Sequence, residues 1–388
     1  MIRKAEKGRT GPSSFVSHQI SPRAVFYCGF CSTLSMICEG FSTETANWNV
    51  TAVLALSRTS IMNLRAIWPR TADAGGKFPA VKPDMKVSLA GIELANPVIA
   101  ASGTFGYGIE FEEIVSLDRL GGFVTKGISL EPMAGHAPPR IIQTAAGMMN
   151  AIGLQNVGVK DYLEKKLPPM KRYPQCKVIV NVFGYTVAEY LGVIERLNQV
   201  EGIAAYELNV SCPNVHMGGM SFGADASCLE DLVRHAKKFA RRPLIVKLSP
   251  NVTSIGQMAK VAAHAGADAL SLVNTFLAMS IDVEERKPRL TNVTGGLSGP
   301  AIKPIALRMV YEASKAVSIP ILGMGGIVTA EDAVEFLLAG ATAVQVGTAS
   351  YADPRATERL ARGLESWCTS HQVERAASLT GALETGQG

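Results

Sequence analysis

The stretch Ile319-Pro-Ile-Leu-Gly-Met-Gly-Gly-Ile-Val-Thr-Ala-Glu-Asp-Ala-Val-Glu-Phe-Leu-Leu-Ala-Gly-Ala-Thr-Ala-Val-Gln-Val-Gly-Thr348 carries the reading that decides the fold. An apolar run, Ile319 to Gly323, leads to a glycine pair; helical spacing follows from Thr329 to Ala339; a second apolar run, Ala343 to Val346, ends on Gly347-Thr348. Short continuous apolar runs suit strands buried on both faces, as in parallel sheets. Thr329, with Asp332 three residues on, predicts a capped helix start, and Gly340 a C-cap. The unit is strand, helix, parallel strand.

The same rhythm runs back to Met85. Further runs are Pro97 to Ala101, Gly122 to Thr125, Lys177 to Val182, Ala204 to Leu208, Pro243 to Val246 and Ala269 to Val273, with helical patterns such as Thr186 to Gln199 and Ser254 to His264 between them. Ala265-Gly-Ala-Asp-Ala echoes Ala339-Gly-Ala-Thr-Ala at the same helix-to-strand corner, as in a repeated unit. Eight runs predict an α/β chain folded as a (β/α)₈ TIM barrel, with a lead-in hairpin over Lys86 to Leu94 plugging its bottom.

Charge separates this barrel from what precedes it. The 388-residue chain carries +5, yet residues 1–84 hold 10 Lys and Arg against 5 Asp and Glu, which leaves 28 of each sign for residues 85–388. A balanced barrel has no broad footprint for nucleic acid. The expected division is a leader over 1–84, disordered or upstream of a start at Met85, and a catalytic barrel over 85–388. The one apolar run of the leader, Ala24 to Cys38, follows basic residues but spans about 15, interrupted by Ser and Thr, where a bilayer needs about 20. No membrane association is expected. Seven cysteines without a paired framework suggest free thiols in a reducing, cytoplasmic compartment.

A barrel of this kind places its chemistry at the C-terminal ends of its strands. The residues there are Ser102, Lys126, Asn181, Asn209, Lys247, Asn274, Gly325-Gly326 and Gly347-Thr348. A core has little use for two lysines and three asparagines at such places, so they point to a polar ligand over the mouth. Gly325-Gly326 after strand 7 and Gly347-Thr348 after strand 8 stand where this fold usually cradles a phosphate, with Gly299 on a third side. No dinucleotide or nucleoside-triphosphate fingerprint is present. Cys212 lies in the loop leaving strand 4; a lone Cys is more often an inert buried thiol, but Lys126 and Lys247 nearby would favour a thiolate acting as base or nucleophile. His and Cys spacings predict no metal.

These strings resemble one family throughout the barrel. Asn96-Pro-Val-Ile-Ala-Ala-Ser-Gly103, Thr125-Lys-Gly127, Asn150-Ala-Ile-Gly-Leu-Gln-Asn156, Asn209-Val-Ser-Cys-Pro-Asn214, Val246-Lys-Leu-Ser-Pro-Asn251, Asn292-Val-Thr-Gly-Gly-Leu-Ser-Gly-Pro300 and Gly323-Met-Gly-Gly326 resemble dihydroorotate dehydrogenase, class 1, in its NAD-linked subclass. The resemblance implies FMN, its phosphate on Gly299, Gly325, Gly326, Gly347 and Thr348, and the rest on Ser102, Lys126, Gly127, Asn181, Asn209, Lys247 and Val273. It implies an orotate site in the loop Asn150 to Leu154 (Asn150, Ala151, Ile152, Gly153, Leu154) with Lys126, Asn209, Asn274 and Thr275, and Cys212 as the base where the membrane-bound class has Ser.

Oxidation of (S)-dihydroorotate to orotate in pyrimidine (UMP) biosynthesis is the implied activity. Since the chain offers no cysteine cluster for iron and sulfur and no NAD fingerprint, the resemblance implies a partner subunit carrying FAD and a 2Fe-2S cluster, with a homodimer of this chain inside a heterotetramer. Alternatives are a fumarate-linked class 1 enzyme and a related flavoprotein oxidising other dihydropyrimidines. A cofactor-free sugar-phosphate isomerase on the same barrel would be colourless rather than yellow; a barrel that has lost catalysis sits poorly with the intact Lys126, Asn209, Cys212 and Lys247.

Overall fold

The computed structural model describes residues 82–210 and 222–386. Residues 1–81 of the expected leader, and Cys212, lie outside the described residues.

Eight strands, β1 (Val98–Ala100), β2 (Gly122–Val124), β3 (Lys177–Val182), β4 (Ala205–Asn209), β5 (Leu244–Lys247), β6 (Ala269–Leu272), β7 (Ile321–Met324) and β8 (Ala343–Val346), follow one another round a closed barrel. Every neighbouring pair is parallel, and β8 closes onto β1 through Val344 beside Val98. Four expected runs, those from Pro97, Ala204, Pro243 and Ile319, began one or two residues early, and in three of them the cause is proline. Pro97, Pro243 and Pro320 stand just outside their strands because they have no N–H to give. Their carbonyls still join the ladder, accepting from Val344, Tyr206 and Leu270 at 2.8, 3.0 and 2.9 Å.

Helices α1 (Val187–Leu197), α2 (Ala226–Phe239), α3 (Ile255–His264), α4 (Lys303–Ala316), α5 (Ala330–Leu338) and α6 (Ala356–Ser370) supply the main crossovers. Thr186, Asp225, Ser254 and Thr329 each accept a backbone N–H three residues on, which satisfies an otherwise orphaned helix donor. At Thr329 the capping box with Asp332 is complete, as predicted. Their apolar stripes pack on the outer faces of the strands in one large buried cluster.

The lead-in hairpin pairs Val87–Leu89 with Ile92–Leu94. Val87, Leu89, Ile92 and Leu94 cluster with one residue from each barrel strand: Ile99, Val124, Ile179, Ala205, Ile245, Ala269, Leu322 and Ala343. The hairpin is thus the predicted plug.

A second sheet went unpredicted. Ile141–Thr144, Gly147–Asn150, Thr294–Ser298 and Phe276–Met279 form a four-stranded antiparallel sheet. Its first pair leaves the loop after β2 and its second the loop after β6, so all four strands belong to the C-terminal side of the barrel. Met149, Ala151 and Leu290 give it a small core of its own.

Candidate active site

A cavity of about 420 Å³ opens at the C-terminal mouth, within the range of small-molecule and cofactor sites. Ser102 after β1, Lys126 and Gly127 after β2, Asn209 and Lys247 at the last positions of β4 and β5, and Val273, Asn274 and Thr275 after β6 all line it. Gly299, Gly325, Gly326, Gly347 and Thr348 form one wall, and Asn150, Ala151, Ile152, Gly153 and Leu154 another. Two expected residues are not in the lining. Asn181 sits fully buried inside the barrel, and Cys212 lies outside the described residues. The segment Asn150 to Leu154 is also not all loop, since Asn150 is the last residue of a strand of the unpredicted sheet, paired with Gly296.

The glycine wall is built as the sequence suggests, for a reason that can be localised. Gly299 and Gly326 have φ of 95° and 76°, which L side chains rarely adopt. A Cβ on Gly326 would also stand 2.8 Å from the Gly299 carbonyl oxygen, so the loop before α4 and the loop after β7 touch backbone to backbone. Their amides can therefore come close to an anion.

The same cavity is lined by positive charge. Lys247 is 5% exposed and has no ion-pair partner among the described residues. A buried ammonium without a protein anion is costly, and its place in the lining makes a ligand the natural source of compensating charge. Lys126, half-buried, is held below the usual lysine pKa first by burial and then by the Arg140 cation, with Glu110 opposing. Arg140 also lines the cavity, fixed by a 2.7 Å bond from its Nη2 to Gln155 Oε1.

Several residues of the quoted strings act on the walls rather than on a ligand. Asn251 donates to the Thr275 carbonyl at 3.2 Å and accepts from Leu277 N at 3.0 Å, which pins the loop after β6. Asn156 accepts from Gly158 N and Ser129 N, tying the 150s loop to the barrel. Tyr190 of α1 donates to the Asn209 carbonyl at 2.9 Å, where β4 ends.

Sequence reasoning missed Arg140 and Gln345 in the lining, and Glu207 beneath it. Arg140 carries no signal in a single sequence. Glu207 had one: a charged residue inside a run buried on both faces must point into the barrel or be paired. Its Oε2 accepts from Asn181 Nδ2 at 2.6 Å, and its Oε1 from Ser271 Oγ at 2.8 Å and Gln345 Nε2 at 2.9 Å. Asn181 Oδ1 and Gln345 Oε1 remain buried without a hydrogen-bond partner among the described residues.

The arrangement suits a ligand with a phosphate at the glycine wall, an electron-rich edge near Lys247, and a smaller anionic group near Lys126. A sequence model of the dihydroorotate dehydrogenase family matches residues 84–367. The catalytic subunit of dihydroorotate dehydrogenase B (NAD(+)) from Citrifermentans bemidjiense is 55% identical over 303 residues, covering 78% of this chain and 99% of that protein. A Solibacter usitatus protein, provisionally named dihydroorotate dehydrogenase A (fumarate), is 53% identical over 302 residues, 78% of this chain and 99% of its own length. Among solved structures, that of DHODH from Eimeria tenella in complex with ferulenol shares the fold with a TM-score of 0.66 at 21% identity, covering 85% of this chain and 95% of that one. The barrel, the polar mouth and the matched sequence together establish that this chain belongs to the dihydroorotate dehydrogenase family.

Proposed function

We propose that this chain oxidises (S)-dihydroorotate to orotate in pyrimidine biosynthesis with FMN bound in the cavity at the barrel mouth. The observation that carries the cofactor is Lys247: a buried ammonium with no ion-pair partner among the described residues, lining the same cavity as a glycine cradle. Gly299, Gly325, Gly326, Gly347 and Thr348 would hold the phosphate through backbone amides. Ser102, Lys126, Gly127, Asn181, Asn209, Lys247 and Val273 would hold the ring system, with the Lys247 cation favouring negative charge on it. FMN, when bound, supplies the acceptor for the hydride that leaves C6 of the substrate, which no side chain can supply.

The chain's own residues do the rest. The segment Asn150 to Leu154, with Lys126, Asn209, Asn274 and Thr275, would bind the substrate carboxylate and ring amides. The burial that lowers the Lys126 pKa also strengthens its attraction for a carboxylate, because less water screens the pair. Cys212 would take the proton from C5 as a thiolate general base.

NAD is the proposed final acceptor, reached through a partner subunit carrying FAD and a 2Fe-2S cluster, with two copies of this chain at the centre of a heterotetramer. The name of the Citrifermentans relative supports this; the Solibacter relative, 53% identical, is named for fumarate instead. We place the enzyme in the cytoplasm. No helix among the described residues is long and apolar enough to cross a membrane. Residues 85–388 are taken as the catalytic unit and 1–84 as a leader.

The deciding experiment is an absorption spectrum of the purified protein followed by anaerobic titration with dihydroorotate. A yellow flavin spectrum that bleaches with dihydroorotate but not with dihydrouracil is expected, and a chain starting at Met85 should behave identically. A colourless protein would overturn the cofactor assignment, and bleaching by dihydrouracil alone the substrate. Reoxidation by NAD⁺ only when the iron–sulfur partner is added supports the proposed acceptor; reoxidation by fumarate without any partner overturns it.

A further inference from the structure

Beneath the cavity lies a buried carboxylate that none of the roles above uses. Glu207, fully buried inside the barrel, accepts hydrogen bonds from Asn181 of β3, Ser271 of β6 and Gln345 of β8. Building on the FMN assignment, we propose that Glu207 is a positioning residue: it orients the side-chain amides of Asn181 and Gln345 so that their oxygens, and not their nitrogens, face the cofactor.

The argument begins with what each group can do. An amide has an acceptor end and a donor end of nearly the same shape, so packing alone does not choose between its two orientations. In the observed network the carboxylate oxygens receive all three donors, and an amide can meet such an acceptor only through its NH₂. Asn181 Nδ2 at 2.6 Å and Gln345 Nε2 at 2.9 Å do so. Both amide oxygens are thereby turned away from Glu207, and both are buried with no hydrogen-bond partner among the described residues.

Two orphaned oxygens on one network are unusual, because a buried acceptor without a donor costs free energy. Their surroundings indicate where the donor comes from. Gln345 lines the cavity. Asn181 Oδ1 borders the space left by Gly127, another lining residue: a Cβ there would stand 3.1 Å from the oxygen. A flavin ring carries an imide N–H when oxidised and gains a further N–H on reduction, so a floor of acceptors matches it in both states.

Removing the carboxylate's symmetry tests this. Glu207→Gln keeps the volume but turns one acceptor end into an NH₂. If that NH₂ replaces Oε2 it faces the Asn181 amide nitrogen; if it replaces Oε1 it faces the Gln345 amide nitrogen. Either way one donor meets another, and one amide must turn over and present NH₂ where an oxygen stood.

The measurement is FMN binding to full-length protein stripped of flavin and reloaded, with the visible spectrum and midpoint potential of the reloaded fraction. Glu207→Gln is expected to weaken FMN binding about tenfold, the loss of one well-made hydrogen bond, and to shift both the flavin bands and the potential. A merely structural role would lower occupancy without moving the spectrum or potential of the flavin that remains. In an Asn181→Leu, Gln345→Met background, where no amide is left to orient, adding Glu207→Gln should weaken binding less than about twofold further.

Unchanged affinity, spectrum and potential in Glu207→Gln would overturn the proposal, as would an undiminished effect in that background. Should Glu207→Gln fail to fold, Gln345→Met, which leaves Glu207 its other two donors, must by itself weaken FMN binding; unaltered binding overturns the proposal. Wild-type protein that cannot be loaded with FMN overturns the cofactor assignment itself, and the role of Glu207 falls with it.

Discussion

At the N-terminal end of the barrel, Ile99, Val124, Ile179, Ala205, Ile245, Ala269, Leu322 and Ala343 close the interior against the four apolar residues of the lead-in hairpin. Two residues further along the same strands stand Ala101, Lys126, Asn181, Glu207, Lys247, Ser271, Met324 and Gln345. Side chains alternate along a strand, so a step of two residues stays on the same face and climbs one level. Within that one step the interior changes from wholly apolar to largely polar. The lower level is built for stability and has no polar side-chain atom to satisfy; the upper one holds a buried lysine and two amide oxygens that have no partner among the described residues, which the proposed FMN would meet.

The largest effect expected at the upper end is in Cys212→Ala, which should keep its flavin spectrum while turnover with dihydroorotate falls by about 10²–10⁴, the usual contribution of a general base. Retained turnover would break the assignment of proton transfer to the loop after β4. At the lower end, Leu89→Ala removes a fully buried side chain from the plug and should cost about 2–5 kcal/mol by chemical denaturation, with turnover of the folded fraction unchanged. A fall in kcat out of proportion to the folded fraction would show that the two levels are not independent.

Gly326→Ala is the smallest change and sharpens the contrast most. Its φ of 76° and the 2.8 Å approach to the Gly299 carbonyl predict a loss of about 1–3 kcal/mol together with weaker FMN binding, since the same backbone forms the cradle. Weaker folding with unaltered FMN affinity would remove Gly326 from the phosphate site.

The eight strands were legible because each is an apolar run too short and too continuous for anything but a buried strand, and caps such as Thr329 with Asp332 are local. The mouth was legible because polar residues at the ends of such runs have no other explanation. The four-stranded sheet was not. Its strands are short, and its two halves are separated by more than a hundred residues; Gly147–Asn150 and Thr294–Ser298 have no pattern until they pair with each other. Asn181 was identified from its strand, but its depth below the cavity was not, because a run buried on both faces hides which level each residue occupies.

From sequence alone came the α/β barrel, the hairpin plug, the division of charge near Met85 and most of the polar residues at the strand ends that line the mouth, all of which follow from local patterns repeated at regular spacing. Only the tertiary structure decided that Glu207 joins strands β3, β6 and β8 through one carboxylate, that Arg140 stands in the cavity wall, and that Asn181 turns its oxygen away from Glu207. Those facts depend on strand stagger and on hydrogen bonds between residues up to 138 positions apart. No local pattern encodes them, because a hydrogen bond's direction exists only once both partners are in place.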